Sequence, residues 1–586
     1  MISRKPNLTL SALLFLCVLL LYLPVLDFSF LNFDDNAYIT ENPFVVTGLS
    51  WENIEWAFLH TRVGHWHPLT WISHMLDCSL FGLSPFVPHI ENVLIHALNG
   101  VLVFLLLNRL FAERWFALVI AGIFAFHPLR IESVAWVSER KDVLSVFFAL
   151  LTFHGYLSFS QERSWRRYLF VLIPFVLGLL CKPSIVVVPV LLLLLDIWPL
   201  RQISNGEGLL SARVLEKLPL LALAFAVSLF ALSAQAEGGG IHNIPFSDRM
   251  PNVFLSFLAY FGKLFWTGGV GIFYPFQSYP PGVGVGAFFG FAFLSYCFLR
   301  RSTPIALRIG YLWFLVSLLP VIGFIPVGGQ SFADRWTYLP HLGLLIGVGW
   351  WCRERLSSTF LVSSSLIAVV GSFYATSTFL PNWRDSETLF RYTLQLTPNN
   401  FMAHSNLGAA LLERGERREA FFHFTEAARL NPHYPVALNH LGFMHADRGE
   451  YDQAISKFEQ AIARDPAFGP ARYNLGLAHQ RKGELLAAAT IWLRQLREVG
   501  PDPSTKRQLE IQFTSQFAGS CLNVRRKVRD IEELADFTFE AERTSEELPF
   551  RKTALELSKC LTLSSRAHGL RDILNEYGRD EASFQQ

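Results

Sequence analysis

The order of apolar and polar positions splits this chain into two unlike halves. Over residues 8–30 nearly every position is apolar, with Thr9, Ser11, Asp27 and Ser29 the exceptions. At about 1.5 Å of rise per residue, that run is long enough to cross a bilayer. Arg4 and Lys5 precede it as in a signal peptide. The run is too long for one, though, and lacks a small-x-small cleavage site, so it reads as a retained first span. Similar runs follow at about 90–107, 116–134, 143–159, 168–181, 185–198, 218–234, 283–299, 309–325, 339–351 and 360–380. The pattern predicts an all-α, polytopic bundle of about 11 spans over residues 1–380.

Beyond Asn382 a period of 34 residues takes over. Pro398, Pro432 and Pro466 obey it, as do Leu407-Gly408, Leu441-Gly442 and Leu475-Gly476. Gly415, Gly449 and Gly483, then Ala420, Ala454 and Ala488, repeat in the same register, and Phe390, Phe424, Phe458 and Trp492 extend it. This is the tetratricopeptide pattern, in which the small residue lets paired helices approach and Pro ends the second helix. An α-solenoid is therefore expected over 381–500, with about three full repeats after a leading half repeat. Residues 501–586 read as a helical extension outside the repeat.

Lys and Arg in short connections set the orientation. Arg109/Arg114, Arg163/Arg166/Arg167, Arg201/Arg213/Lys217, Arg300/Arg301/Arg308 and Arg353/Arg355 alternate consistently with Arg4/Lys5. The N-terminus is thus expected in the cytoplasm of a bacterial inner membrane, and an odd span count puts the repeats in the periplasm.

The outer side carries the unusual chemistry. The stretch Phe33-Asp34-Asp35-Asn36 follows the first span directly. The long loop after it includes Ser50 to Phe58, which suits an amphipathic helix capped by Ser50. The next outer segment, His127 to Asp142, holds Arg130, Arg140 and Lys141 against the trend of the other loops. Lys182 lies at a third outer end and Arg335 at a fourth. Cations kept on the outside have a local reason, either an anion or internal pairs such as Arg130 with Glu132 or Glu139, and Lys141 with Asp142. In the second span His89, Asn92 and His96 fall on one helical face. They line a cavity beneath the aspartates or hold helices together. In the repeats Asn406, His440 and Asn474 share one position and are candidates for holding an extended acceptor or partner peptide.

Composition narrows the rest. Of 586 residues 51% are hydrophobic and 17% charged, which fits a membrane domain joined to a soluble one. A net charge of +2 with no Lys/Arg-rich block gives no sign of nucleic acid. The seven cysteines are scattered without a C-x-x-C pair, so zinc ligation of the usual spacing is not expected. A Cys521–Cys560 disulfide is open in an oxidising compartment.

The Phe33-Asp34-Asp35-Asn36 motif, His67-Pro68-Leu69-Thr70, Asn92 to His96, and His127-Pro128 through Arg140-Lys141-Asp142 occur here together with the repeats. In this combination the chain resembles the transmembrane-and-tetratricopeptide-repeat proteins, relatives of the protein O-mannosyltransferases within the GT-C glycosyltransferases. Many relatives have Arg where this chain has His67, so that position departs from the pattern. The resemblance implies a glycosyltransferase that moves a sugar from a polyprenyl-phosphate-linked donor to an acceptor such as a protein Ser/Thr hydroxyl. Asp34 and Asp35 would then supply the catalytic base or a metal site, with Asp35 marginally preferred as base. Arg130, Arg140, Lys141, Lys182 and Arg335 would bind the donor phosphate. His67, His89, Asn92, His96, His127 and Tyr338 would line the cavity. A divalent Mg or Mn ion is compatible with paired aspartates, although two carboxylates alone do not define its site.

Two rival readings stay open. A non-enzymatic scaffold for envelope assembly would need only one span and could lose the outer charges. A transporter would favour internal symmetry and charges at mid-span.

Overall fold

The computed structural model describes residues 7–62, 64–202, 212–237, 244–325, 328–484, 487–488 and 491–492. Among them the chain is almost wholly helical, with one two-stranded pairing of Tyr274–Pro275 and Gln330–Phe332. It is a multi-pass membrane protein followed by helical repeats. It packs as two compact units that meet in sequence at Ala410 and Leu411. The extension 501–586 and the cysteines at 521 and 560 lie outside the described residues.

The expected 11 spans are too many. Among the described residues six helices are long and apolar enough to cross a membrane: Leu8–Asp27, Phe86–Phe111, Val137–Gln161, Leu218–Ala236, Pro281–Leu299 and Ser358–Trp383. A seventh forms if Arg114–Phe126 and Pro128–Ala135, bent by 57°, count as one. Other apolar runs make shorter helices, such as Pro183–Ile197, Ile305–Leu318 and Pro340–Arg355. Apolarity alone does not distinguish a short packed helix from a span, and prolines cut several of these. Pro183, Pro304 and Pro340 stand at or just before helix starts, where the missing N–H costs nothing. The 57° bend has the same origin. Pro128 keeps His127 extended (ψ 132°), so the helix stops and restarts.

The bundle has two chemically distinct ends. At one, Arg353 pairs with Glu113 at 2.5 Å, Arg163 with Glu216 at 3.4 Å, and Arg109 bonds the His154 carbonyl. At the other lie Asp34, Asp35 and the His127–Asp142 segment. On the Phe86–Phe111 helix, Asn92 and Arg109 are ~25 Å apart along the axis, most of the thickness of a hydrocarbon core. The Ser358–Trp383 span runs from the arginine end to the aspartate end, where Ser29 N–H donates to the Arg384 carbonyl at 2.9 Å. The first repeat helices, up to Ala410, therefore lie at the aspartate end.

In the second unit, Arg417–Leu430, Pro435–Asp447, Tyr451–Arg464 and Gly469–Lys482 alternate as the period predicts. Gly442 shows why its position is small. A Cβ there would come within 2.6 Å of the Phe458 ring, which fills the layer between paired helices. Ala454, Phe458, Leu475 and Ala478 form one buried cluster of that layer.

Ile305–Leu318 and Pro340–Arg355 approach as closely as backbones allow. A Cβ on Gly310 would sit 2.5 Å from the Gly343 carbonyl oxygen, and one on Gly347 would sit 2.7 Å from that of Ala306. Small residues four apart on facing helices are a known packing device in membranes. Gly347→Val should cost roughly 1–3 kcal/mol by forcing this seam open. It should lower the thermal midpoint in detergent, whereas Gly371→Ala, at an open position, should not.

Candidate functional site

The aspartate end is organised by a carboxylate inside the protein. Asp35 is fully buried. It accepts hydrogen bonds from the Leu31 N–H at 2.9 Å, from the Ser138 N–H at 2.9 Å and from the Ser138 hydroxyl. Burial pushes its carboxyl up to about 7, while these donors pull it back. Trp136 adds a second tie, donating its indole N–H to the Phe33 carbonyl at 3.0 Å. The loop after the first span is thereby bolted to the segment His127–Asp142.

Asp34 is different. It is half-buried and adopts a left-handed backbone (φ 65°), so its side chain leaves the chain in another direction from that of Asp35. Among the described residues its carboxylate has no hydrogen-bond or salt-bridge partner. Burial raises its proton affinity, Lys141 and Arg335 lower it, and Glu139 raises it further. Asp34 thus sits beside a cluster of ion pairs without being spent in it. The marginal preference for Asp35 as base does not fit this geometry, because its lone pairs are already occupied.

That cluster centres on Glu139. It receives Lys141 at 3.0 Å, Lys182 at 3.1 Å and Arg335 at 3.1 Å. Lys182 also reaches Asp142 at 2.5 Å, and Arg335 pairs with Glu132, whose other oxygen accepts the Arg335 N–H at 2.7 Å. The broken helix is what lets these groups meet. Between His127 and Arg140 the chain forms short turns and an extended residue at Trp136, so successive charges can face inward. The internal pairing expected within this segment differs in detail: Lys141 takes Glu139, and Asp142 takes Lys182. Asp334 turns away to Lys263 and to the Tyr274 hydroxyl at 2.9 Å. A cavity opens beside the cluster, lined by Asp142, Lys182, Arg335 and Tyr338, with Val146, Ile185 and Val321 as apolar wall.

The five candidate phosphate cations do not form one group. Lys141, Lys182 and Arg335 share Glu139. Arg140 is buried elsewhere, held by Asp77 at 2.7 Å and Glu91 at 3.0 Å, with Asn92 and Ser73 accepting further bonds. Arg130 lies buried over the rings of Phe124 and Tyr338, 5.3 and 5.0 Å from their centres, and its guanidinium lacks a hydrogen-bond partner among the described residues.

Of the six expected cavity residues, only Tyr338 lines this cavity. The polar stripe is helix-to-helix glue. His89 donates to the Ala135 carbonyl, and Asn92 to those of Val134 and Trp136. His96 donates from Nε2 to the Ala125 carbonyl and takes the Tyr338 hydroxyl on Nδ1, while Asn99 donates to that same hydroxyl oxygen. His127 donates to the Leu264 carbonyl. His67 is buried beside His65 and Trp71 with neither ring nitrogen bonded; burial holds its proton affinity well below the ordinary histidine range.

Nor do the equivalent repeat positions form an open row of amides. Asn406 donates to the Met402 carbonyl of its own helix, His440 stacks on Phe424 at 4.5 Å, and Asn474 donates to Asn439 at 2.9 Å.

Glu132, Glu139, Asp142 and Ser138 are the site residues that sequence reasoning treated only as background. Their signal was the density of charge immediately before an apolar helix. As for a metal, Asp34 and Asp35 diverge, and among the described residues no group of three His, Cys, Asp or Glu side chains could hold an ion.

A buried ion-pair cluster at one end of a polytopic bundle, with repeats beginning beside it, defines a class that comparison with known proteins makes specific. Residues 69–233 match the family described as dolichyl-phosphate-mannose-protein mannosyltransferase, and 445–503 match the tetratricopeptide repeat. The chain combines these two parts and is similar to proteins described as protein O-mannosyl-transferases. Protein O-mannosyl-transferase TMTC1 of Homo sapiens is 27% identical over 424 residues, covering 62% of this chain and 48% of that one. Tmtc1 of Drosophila melanogaster is 25% identical over 460 residues (61% and 53%), and Tmtc2 of the same fly 31% over 210 (33% and 22%). The chain spans about half the length of the first two relatives. Among solved structures, that of MamA aligns with 27% of this chain and 87% of its own at 24% identity, with a TM-score of 0.18.

The two aspartates should respond differently to the same change. Asp35→Asn sets an amide N–H against donors and should cost about 1–3 kcal/mol. Asp34→Asn should leave stability unaltered. Thermal unfolding of the two purified variants compares them directly.

Proposed function

We propose that this protein is a membrane glycosyltransferase that moves a sugar from a polyprenyl-phosphate-linked donor to a hydroxyl of a protein acceptor. The observation that carries this reading is the unpartnered Asp34 carboxylate close to Lys141, Glu139 and Arg335, in an ion-pair cluster whose Lys182 and Arg335 line a cavity with an apolar wall. The acceptor oxygen attacks the anomeric carbon, its proton passing to Asp34. The bond from that carbon to the phosphate oxygen breaks, and its electron pair stays with the departing polyprenyl phosphate. Lys182 and Arg335, both lining the cavity, face the charge that develops there. Their carboxylate partners keep them in place before the donor arrives. Tyr338 and the apolar residues Val146, Ile185 and Val321 receive the rest of the donor head and the first part of its chain.

The reaction side is the outer face of a bacterial inner membrane, with the N-terminus in the cytoplasm. The basic residues gathered at the opposite end of the bundle support this by the positive-inside rule. The repeats recruit the acceptor or a partner protein. The likeness to O-mannosyl-transferases supports a hexosyl donor and a protein acceptor. A scaffold reading has no comparable support, because it leaves Asp34 and the cavity without a purpose.

Loss of general-base assistance should lower transfer by about 10²–10⁴-fold in Asp34→Asn, measured in purified membranes with a short-chain polyprenyl-phosphate sugar and a Ser/Thr peptide. Wild-type rates from this variant would remove Asp34 from the role of base, and a wild type that transfers nothing would favour the scaffold. Because burial holds the Asp34 carboxyl above its usual range, the base form is lost early on acidification. The wild-type rate at saturating donor should therefore fall through a midpoint above ~4, the ordinary aspartate value. Lys182→Met should raise the donor KM by roughly tenfold, the worth of one charge-assisted hydrogen bond.

A further inference from the structure

The start of the repeat array does something that recognition of a partner does not require. The chain from Trp383 through the helix Ser386–Leu396 to the start of Phe401–Glu413 grips the loop that carries Asp34 and a second loop at residues 270–273. On one side, the Asn32 N–H donates to the Ser386 hydroxyl at 2.9 Å, and the Asn32 side chain donates to the Asn406 carbonyl at 3.0 Å. On the other side, Trp383 donates to the Val270 carbonyl at 3.2 Å, and Asn400 donates its side-chain N–H to the Phe273 carbonyl at 2.7 Å. Phe33 is caught between these grips, its ring 6.3 Å from both Phe273 and Phe390 and 5.3 Å from Trp136.

The backbone gives this clamp a purpose. Asp34 and Phe273 both have left-handed φ, 65° and 57°. Aspartate tolerates that region, but for a bulky aromatic residue it is an outlier that persists only where surrounding contacts over-determine it. At Phe273 the contacts come from Asn400 and Phe401, and at the residues before Asp34 from Ser386 and Asn406. The direction of the Asp34 carboxylate is set by its φ, and its neighbours on the N-terminal side are held by the repeat.

We infer that this leading helix pair is a positioning part of the active site, with Asn32 and Ser386 as positioning residues that hold Asp34 at the reacting hydroxyl. The inference rests on the reading of Asp34 as base. It divides the labour within the array: the first two helices shape the catalytic loop, and those beyond Leu411 are left for recognition. It also means that the membrane part ending near residue 380 is not a complete catalyst.

Ser386→Ala removes one grip while Ser386→Thr keeps the hydroxyl, and Asn32→Ala removes the other donor without adding a charge. The full-length chain in detergent is examined by amide hydrogen exchange and by transfer from a short-chain polyprenyl-phosphate sugar to a Ser/Thr peptide. Ser386→Ala and Asn32→Ala should speed exchange over residues 31–38 but not over 140–161. They should also lower kcat by about tenfold or more, since small misplacements of a reacting group are costly. The donor KM and the thermal midpoint should stay unchanged, and Ser386→Thr should restore the rate. Unchanged exchange overturns the inference. So does an active wild type whose kcat is indifferent to these changes, or a loss that tracks the thermal midpoint alone. A wild-type chain that transfers nothing sinks the glycosyltransferase reading itself, a result separate from those.

Discussion

A carboxylate removed from water must be given donors, and the Asp35 carboxylate is given them by another loop. Its bonds to Ser138 join the end of the first span to the broken helix between His127 and Arg140. Without that join Trp136 would not reach the Phe33 carbonyl, and Asp34 would have no fixed relation to Glu139 and its cations. Burial makes the arrangement costly to leave half-formed, because an ionised group with lost partners inside the protein forfeits several kcal/mol. The aspartate end therefore forms as a unit.

The cluster around Glu139 follows the same logic. Lys141, Lys182 and Arg335 oppose Glu132, Glu139 and Asp142, so the cluster is close to neutral with Asp34 left over. Buried pairs of this kind contribute little net stability but hold geometry well. Cations already oriented by carboxylates need no reorganisation when a phosphate approaches, which is the condition for electrostatic stabilisation of a leaving group.

Much of this was legible in the residues, and the failures have physical causes. The 34-residue period was unmistakable because each repeat needs the same small residue at the same close approach, as Gly442 against Phe458 shows. The charged end of the bundle was legible because two aspartates and several cations stand where apolar helices stop. The division of labour between Asp34 and Asp35 was hidden, since it depends on a single φ of 65° and on a partner about a hundred residues away at Ser138. The stripe of His89, Asn92 and His96 was correctly placed on one face, but periodicity does not say whether that face meets water or backbone carbonyls. Span number was overestimated because hydropathy registers burial in a protein and burial in lipid alike.

The short helices beside the cavity have a consequence for the lipid around them. Ile305–Leu318 has 14 residues and so rises only about 21 Å, against a hydrocarbon core of about 30 Å. Pro183–Ile197 is nearly as short, and Ile185 and Ser317 from these two elements both line the cavity. A bilayer in contact with a surface of this height would have to thin to match it. Headgroups would then dip toward the protein's mid-plane at the mouth of the cavity. A lipid-borne phosphate arriving there would ride down with them to the depth of Lys182 and Arg335, without its isoprenoid tail leaving the oil.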